Sequence, residues 1–234
     1  MHPRFVGRLG LADAVTVSSA VLGFAAIVIA TVDTELAARL ILLAAIADGL
    51  DGVIARHRGG TPAGEYLDSL ADAVSFCIAP AMMVFFVAQD GWAFSLTDPS
   101  TETVVAGLVV GLYVGMGIVR LGLYTAEDVG NDHTEGVQTT LAATILAAMA
   151  LAGLNEPAVL LAGTAAFSYL MVTRVTYPDL YARDAVAMGA IQAAAVIAPR
   201  AVDAGFPRLL LVAALAYLVL APRYYWRDVT STAD

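Results

Sequence analysis

Apolar and polar positions follow each other in long blocks along the chain, and these blocks set the elements that the sequence predicts. Each apolar block approaches the roughly 20 residues that an α-helix needs to cross the hydrocarbon core of a bilayer. The polar connections are short, and the longest are 89–102 and 126–137. No linker divides the chain, so we predict a single all-α, membrane-embedded domain over residues 1–234. Its eight predicted spans are 13–32, 36–56, 65–88, 103–125, 138–154, 157–175, 184–199 and 207–222.

Composition places the chain among membrane proteins. Hydrophobic residues make up 59% of it, the mean hydropathy is +0.77, and charged residues reach 14%, against about 25% in an ordinary soluble domain. The net charge of −9 argues against a nucleic-acid partner. Every basic residue is an arginine, and such an acidic, lysine-free surface favours adaptation to high salt. Cys77 has no second cysteine to pair with, so no disulfide is expected.

The distribution of arginines predicts which side of the membrane holds the termini. Eight spans put both termini on one side, and positive residues collect on the cytoplasmic side of a bilayer. Three arginines fall on the far side, namely Arg39, Arg200 and Arg208. Nine fall on the side of the termini: Arg4, Arg8, Arg56, Arg58, Arg120, Arg174, Arg183, Arg223 and Arg227. We therefore predict a multi-pass cell-membrane protein with cytoplasmic termini, and a short interfacial helix at residues 1–10.

Four aspartates stand at the cytoplasmic ends of the second and third predicted helices, on either side of a glycine-rich turn. Residues three, four and seven positions apart lie on one face of a helix. Because the turn folds the two helices together, we expect the two stripes to meet and their carboxylates to converge. The stripe of the second helix holds Asp48, Asp51, Gly52 and Ala55, and that of the third holds Gly64, Asp68 and Asp72.

Such a group of carboxylates needs a counter-charge. Unpaired carboxylates at a bilayer edge repel and cost several kcal/mol each, and only Arg56 and Arg58 are close in sequence. A hard divalent cation neutralises the remainder, and an all-oxygen set favours Mg²⁺ or Mn²⁺. Ordinary solvated loop charges and an ion-coupled transporter are the alternatives. A transporter predicts acids near the bilayer midplane, whereas acids at helix ends beside glycines favour a phosphate-bearing ligand.

These residues resemble the motif of a known family. The run Asp48-x-x-Asp51-Gly52-x-x-Ala55-Arg56, followed by Gly64-x-x-x-Asp68-x-x-x-Asp72, is similar to the signature of the CDP-alcohol phosphotransferases, which are integral membrane enzymes. The turn between Arg56 and Gly64 is one residue shorter than is usual there. Further segments resemble the branch that contains the phosphatidylserine and archaetidylserine synthases: 12–24, 67–81 and, more weakly, 120–125, 136–143 and 168–178.

The resemblance implies a role for each residue of the motif. Asp48, Asp51 and Asp68 would hold one or two Mg²⁺ or Mn²⁺ ions on the pyrophosphate of a CDP-linked lipid, with Asp72 completing the cluster. Asp72 lies one turn, about 6 Å, beyond Asp68, and would take the proton of the acceptor hydroxyl as general base. The CDP-linked lipid would bind at Asp48, Gly52, Ala55, Arg56 and Gly64, where small residues admit the nucleotide and Arg56 neutralises phosphate.

The branch also implies an acceptor. A phosphatidyl or archaetidyl group would pass to the hydroxyl of L-serine, with release of CMP. The serine carboxylate needs a cation, for which Arg120 is our candidate and Arg174 and Arg183 are alternatives. Leu123 and Thr125 stand where that branch usually carries an arginine and an asparagine. Glycerol phosphate or inositol phosphate are alternative acceptors, although each favours a denser basic pocket. The CDP-linked lipid has either a diacylglycerol or an archaeol backbone, and the acidic surface favours archaeol.

A glycine stripe on the fourth predicted helix bears on assembly. Gly107, Gly111 and Gly115 repeat a G-x-x-x-G pattern, which indicates either close helix packing within the chain or a contact between two chains. The resemblance implies a homodimer. It covers most of residues 10–180, so we expect the C-terminal helix pair at about 184–222 to be an addition to a six-helix family core.

Overall fold

A computed structural model describes residues 7–97, 100–128 and 133–226, and this part of the chain is almost entirely helical. Each of the predicted helices is present within a few residues of its expected bounds. The predicted interfacial helix at 1–10 lies largely outside the described residues. The elements are α1 (Leu11–Ala30), α2 (Thr34–Arg58), α3 (Gly64–Asp72), the π-helical turn π1 (Ala73–Ile78), α4 (Ala79–Trp92), α5 (Thr101–Leu123), the π-helical turn π2 (Tyr124–Asp128), strand β1 (His133–Glu135), α6 (Thr139–Leu151), α7 (Pro157–Leu170), strand β2 (Thr176–Pro178), α8 (Ala182–Ile197) and α9 (Gly205–Tyr224).

Helix length and apolarity confirm an all-α membrane protein. In the described residues, α1, α9 and the continuous helices Gly64–Trp92 and Thr101–Glu127 are long and apolar enough to cross a bilayer. The first of these continuous helices contains α3, π1 and α4, and the second contains α5 and most of π2. α6 and α7 are apolar but shorter, with 13 and 14 residues.

The first three helices are held together by small residues and serine hydroxyls. A Cβ at Gly23 of α1 would lie 2.6 Å from the Cα atom of Ser75, so α1 and π1 are in direct backbone contact. The hydroxyl of Ser75 donates to the carbonyl of Ser19 at 2.9 Å, and that of Ser19 donates to the carbonyl of Ala44 at 3.1 Å. These bonds fix α1, α2 and π1 at one level, and thereby fix the helix ends that carry the aspartates.

Asp33 caps the start of α2 by accepting from the backbone N–H of Leu36 at 2.9 Å. At the other end of α2, the turn to α3 reverses the chain near the aspartates. Gly59 ends the helix with φ at +84°, a left-handed conformation that favours glycine. The reversal brings the end of α2 and the start of α3 together, and we call this end of the bundle, which carries Asp48 and Asp68, the aspartate end.

Two short strands were not predicted from the sequence. β1 and β2 pair antiparallel, with Thr134 opposite Tyr177. The polar block 126–137 predicted a loop, and the sixth apolar block, 157–175, predicted a helix that continued to residue 175, whereas α7 ends at Leu170. Strands of three residues are too short to show an alternating pattern.

The C-terminal pair α8 and α9 packs against the rest of the bundle. The side-chain amide of Gln192 donates to the carbonyl of Leu42 at 2.7 Å, and the Nε of Arg39 donates to the carbonyl of Val196 at 2.8 Å. Both bonds join α8 to α2. At the end of the bundle opposite the aspartates, Arg200 forms an ion pair with Glu35 at 2.6 Å.

Candidate active site

Three of the predicted aspartates form one cluster. Carboxylate oxygens of Asp48, Asp68 and Asp72 all lie within 4.8 Å of one another. Asp72 is buried, and Asp48 and Asp68 are half-buried. The convergence expected from the two helical stripes is therefore present, with one acid from α2 and two from α3.

The cluster fits a divalent cation. The Oδ1 of Asp72 is buried and accepts no hydrogen bond from any described residue. A buried carboxylate oxygen without a donor is costly, and a metal ion is one group that satisfies it. The Oδ2 of Asp72 receives a weak bond from the hydroxyl of Thr139 at 3.4 Å. Oxygen donors alone are the set that Mg²⁺ and Mn²⁺ prefer.

Asp51 faces a different partner. It is 6% exposed, and its Oδ2 accepts from the hydroxyl of Thr16 of α1 at 2.5 Å. It stays near enough to Asp48 and Asp68 to repel them electrostatically. This hydrogen bond uses one of its two carboxylate oxygens, and the role of Asp51 as a metal ligand stays a prediction.

The residues predicted to bind nucleotide line the same end. Arg56 is exposed, and its guanidinium lies across Gly52, where an added Cβ would meet its Nη1 at 3.5 Å. Ala55 is half-buried beside it. A Cβ at Gly64 would crowd the carboxylate of Asp13 at 3.3 Å. Packing within the chain thus favours a small residue at Gly64, which leaves room for an acid that the sequence prediction missed, whereas a Cβ at Gly52 would meet only the flexible end of Arg56.

That acid is Asp13, which fastens the start of α1 to the α2–α3 turn. It is 2% exposed, and its carboxylate accepts from the backbone N–H of Gly10 at 2.6 Å and from the hydroxyl of Thr61 at 2.9 Å. An acid in the first turn of an otherwise apolar helix was the available signal, since it favours a helix N-terminus or a functional site.

Arg120 is the buried cation of the site. It is 6% exposed, and its Nη2 donates to the hydroxyl of Thr134 at 2.9 Å. Its guanidinium carbon lies 4.9 Å from the ring centre of Tyr124. It also attracts the carboxylates of Asp68 and Asp72. The arginine predicted to bind the acceptor therefore lies beside the aspartate cluster, at the end of α5.

The two alternative arginines lie elsewhere. Arg174 is exposed. Arg183 is 84% exposed and pairs with its neighbour Asp184 at 3.2 Å. Thr125, which replaces the usual asparagine, shares a 2.6 Å hydrogen bond with Ser69, the residue after Asp68. Burial and location thus favour Arg120 among the three candidates.

A family model covers this site region, and several known proteins are similar to this chain. The family model described as CDP-alcohol phosphatidyltransferase matches residues 9–175, which include the aspartates and Arg120 but not β2, α8 or α9. An archaetidylserine synthase of Methanothermobacter thermautotrophicus is 29% identical over 175 residues, 73% of this chain and 70% of that protein.

Two bacterial proteins named CDP-diacylglycerol–serine O-phosphatidyltransferase are also similar. That of Mycobacterium tuberculosis is 37% identical over 118 residues, 50% of this chain and 37% of that protein. That of Bacillus subtilis is 29% identical over 133 residues, 56% of this chain and 68% of that protein. With the family model matching most of its length and the aspartates of the motif gathered at one site, the chain belongs to the CDP-alcohol phosphatidyltransferase family.

Proposed function

We propose that the protein transfers an archaetidyl or phosphatidyl group from a CDP-linked lipid to the hydroxyl of L-serine, with release of CMP, at the cytoplasmic face of the cell membrane. The observation that carries this proposal is a buried arginine beside three converging carboxylates in a chain of this family. The similar proteins with serine-transferase names support the choice of acceptor.

The aspartates provide the metal ligands and the base. Asp48, Asp68 and Asp72 would hold the cation together with Asp51, whose Oδ2 accepts from the hydroxyl of Thr16. The bound cation supplies the positive charge that stabilises the transferring phosphoryl group and the departing CMP. Asp72 takes the proton of the serine hydroxyl at a carboxylate oxygen that the cation leaves free.

Two arginines would pair with the negative charges of the two substrates. Arg56 is exposed beside Gly52 and can reach a nucleotide phosphate. Arg120 binds the serine carboxylate, which places the serine hydroxyl next to Asp72. Of the arginines that the structure describes, Arg120 alone is buried. One buried cation matches one carboxylate better than the double charge of a phosphate-bearing acceptor.

A panel of acceptors tests the proposal. Purified protein with Mn²⁺ and either CDP-archaeol or CDP-diacylglycerol is supplied with L-serine, glycerol 3-phosphate, inositol phosphate or ethanolamine, and CMP release is measured. We expect turnover with L-serine and little with ethanolamine, which offers the hydroxyl and amine without the carboxylate. Turnover with a phosphate-bearing acceptor, and none with serine, would overturn the proposed acceptor. The two lipids, compared under the same conditions, identify the backbone.

We further propose that two chains associate through α5. A Cβ added at Gly107, Gly111 or Gly115 would meet nothing within 4 Å, so close packing of this stripe inside the described chain is wrong. Leu108 and Leu112 beside it are 68% and 50% exposed. Glycines let two helices approach closely, and the family resemblance favours a homodimer.

A bulky side chain on the stripe tests the dimer. Gly111→Leu should yield monomer in detergent, measured by light scattering corrected for bound detergent. Gly189→Leu on α8 is the matched control, because its Cβ also meets nothing within 4 Å. A dimer that survives Gly111→Leu places the contact on another face, and a monomeric wild type removes the proposal.

A further inference from the structure

The pair of strands β1 and β2, here called the ribbon, lies between the active site and the C-terminal helices. Thr134 and Tyr177 face each other across it. Side chains of directly opposed residues in an antiparallel pair point to the same face. Both side chains are buried, Thr134 at 3% and Tyr177 at 4% exposure. The inner face of the ribbon therefore carries one hydroxyl from each strand.

The β1 side of the ribbon contacts the acceptor arginine. The hydroxyl of Thr134 accepts from the Nη2 of Arg120 at 2.9 Å. Arg120 reaches this point from the end of α5, with the Tyr124 ring on one side of its guanidinium. A guanidinium is planar, so fixing one of its nitrogens restricts the directions in which the others can bind a carboxylate. Thr134 thus limits how Arg120 meets a ligand.

The β2 side of the ribbon is fixed by α9. The hydroxyl of Tyr217 donates to the carbonyl of Pro178 at 2.6 Å, and the hydroxyl of Tyr177 donates to the carbonyl of Leu218 at 3.2 Å. A tyrosine hydroxyl is protonated at neutral pH, and burial raises the pKa of Tyr177 further above its ordinary value. Two adjacent residues of α9 therefore hold two adjacent residues of β2.

The far end of the ribbon is fixed by the last residue of α7 and by the segment that follows it. The backbone N–H of Gly136 donates to the carbonyl of Val175 at 2.8 Å, and that of Val137 donates to the carbonyl of Leu170 at 3.1 Å. Gly136 has φ at +76°, and a Cβ there would collide with the carbonyl oxygen of Met171. The ribbon is thus held by α7 and α9 and has little freedom to shift relative to Arg120.

We infer that Thr134 is a positioning residue for Arg120, and that α9 acts on acceptor binding through Tyr177, Tyr217 and the ribbon. This inference rests on the proposed function, because it takes Arg120 as the cation that binds the acceptor carboxylate. Residues 9–175 carry the family match, so β2 and α9 lie outside it. Elements beyond the family core thereby set the affinity for the acceptor and leave the metal cluster unchanged.

Substitution of Thr134 separates positioning from general stability. Thr134→Val keeps the shape and removes the hydroxyl, and we expect the KM for serine to rise about tenfold, the usual effect of losing one hydrogen bond to a charged group. The kcat and the KM for the CDP-linked lipid should stay within about twofold. Thr134→Ser restores the hydroxyl and should restore the KM for serine. An equal loss in kcat and in both KM values would overturn the inference. So would a failure of Thr134→Ser to restore the KM for the substrate serine.

Substitution on α9 tests the indirect path. Tyr217→Phe removes the donor to Pro178, and it should raise the KM for serine two- to fourfold without changing the KM for the lipid. Tyr224→Phe is the matched control, because Tyr224 lies on the same helix and is 72% exposed. The double variant Thr134→Val with Tyr217→Phe should be no worse than Thr134→Val alone, since both act through one contact. If the double variant instead raised the KM for serine by the product of the two single effects, Tyr217 would not act through Thr134.

The same variants in the Arg120→Ala background distinguish failure of this inference from failure of the proposed function. Absence of serine turnover in wild type removes the proposed function. Thr134→Val must have no further kinetic effect once Arg120 is alanine, whichever alcohol supports CMP release. Thermal unfolding of the four proteins in this cycle gives a readout that needs no acceptor. Additive shifts in both measurements would show that Thr134 does not act through Arg120.

Discussion

At the scale of single residues, the most specific prediction concerns the clustered aspartates that we propose as metal ligands. Asp48→Asn or Asp68→Asn should abolish CMP release while the protein stays folded, because each change removes one ligand of a three-carboxylate group. Asp90→Asn is the control, since Asp90 is an exposed acid near the end of α4. Neutralising one acid also relieves repulsion, so the metal-free variants should unfold at a higher temperature than metal-free wild type. Full activity in excess chelator would contradict the metal mechanism.

Asp72 has two proposed roles, general base and metal ligand, and one substitution distinguishes them. As the base, it accepts the serine proton, and Asp72→Asn should lower turnover by roughly 10²- to 10⁴-fold with metal binding nearly intact. As chiefly a metal ligand, the same variant would bind metal weakly and recover with more Mn²⁺. The Oδ1 to which no described residue donates is open to either role. We favour the base, because the three other aspartates of the motif and the pyrophosphate oxygens already supply a hard cation with ligands. Titrations of Mn²⁺ against binding and against turnover decide, and complete recovery at high Mn²⁺ would exclude the base role.

Residue spacing predicted the cluster but could not predict orientation. Helical stripes place Asp48, Asp68 and Asp72 correctly because three- and four-residue spacings fix the face of a helix. The same rule grouped Asp51 with them, but it did not show that the Asp51 carboxylate accepts a hydrogen bond from Thr16 of the neighbouring helix α1. Asp13 escaped the prediction because its partner Thr61 is distant in sequence. Contacts between helices that lie far apart along the chain are set by tertiary packing, which spacing does not encode.

At the scale of elements, the apolar blocks predicted the long helices of the described residues, and local helix breakers set their ends. α6 ends at Leu151, before residue 154, and Gly153 follows it with φ at +85°. The ribbon could not be predicted, since its strands are held by α7 and α9 rather than by their own alternation. The sequence thus determined where helices form, and packing determined what the connections between them do.

The contact of α1 with π1 gives a prediction at this scale. Gly23→Ala should destabilise the protein by about 1 to 3 kcal/mol, because overpacking forces backbone to shift and the new Cβ would lie 2.5 Å from the Ser75 hydroxyl. Gly163→Ala on α7 is the control, since its Cβ would meet neighbours at an ordinary 3.8 Å. Thermal or denaturant unfolding in detergent measures both. Equal stability of the two variants would mean that α1 and π1 can separate without cost.

At the scale of the whole molecule, the two ends of the bundle differ in chemistry. The aspartate end carries the aspartate cluster, Arg120 and the ribbon, while the opposite end carries the Arg200–Glu35 ion pair and the turn from α8 to α9. α2 runs between them with 25 residues, which corresponds to about 37 Å at 1.5 Å per residue. That length exceeds the roughly 30 Å of the hydrocarbon core, so the two ends are expected to lie on opposite faces of the membrane.

The arginine distribution predicts which face is which. In a Cys77→Ala background, single cysteines are placed at Pro62, which is exposed in the α2–α3 turn, and at Val202, which is 82% exposed between α8 and α9. A membrane-impermeant maleimide should label Val202→Cys in intact cells and Pro62→Cys only in inverted vesicles, since positive residues stay on the cytoplasmic side. Labelling after solubilisation confirms that both thiols can react. The reverse pattern would place the aspartates outside, where a cytoplasmic CDP-linked substrate could not reach them, and labelling of both from one side would contradict the predicted number of crossings.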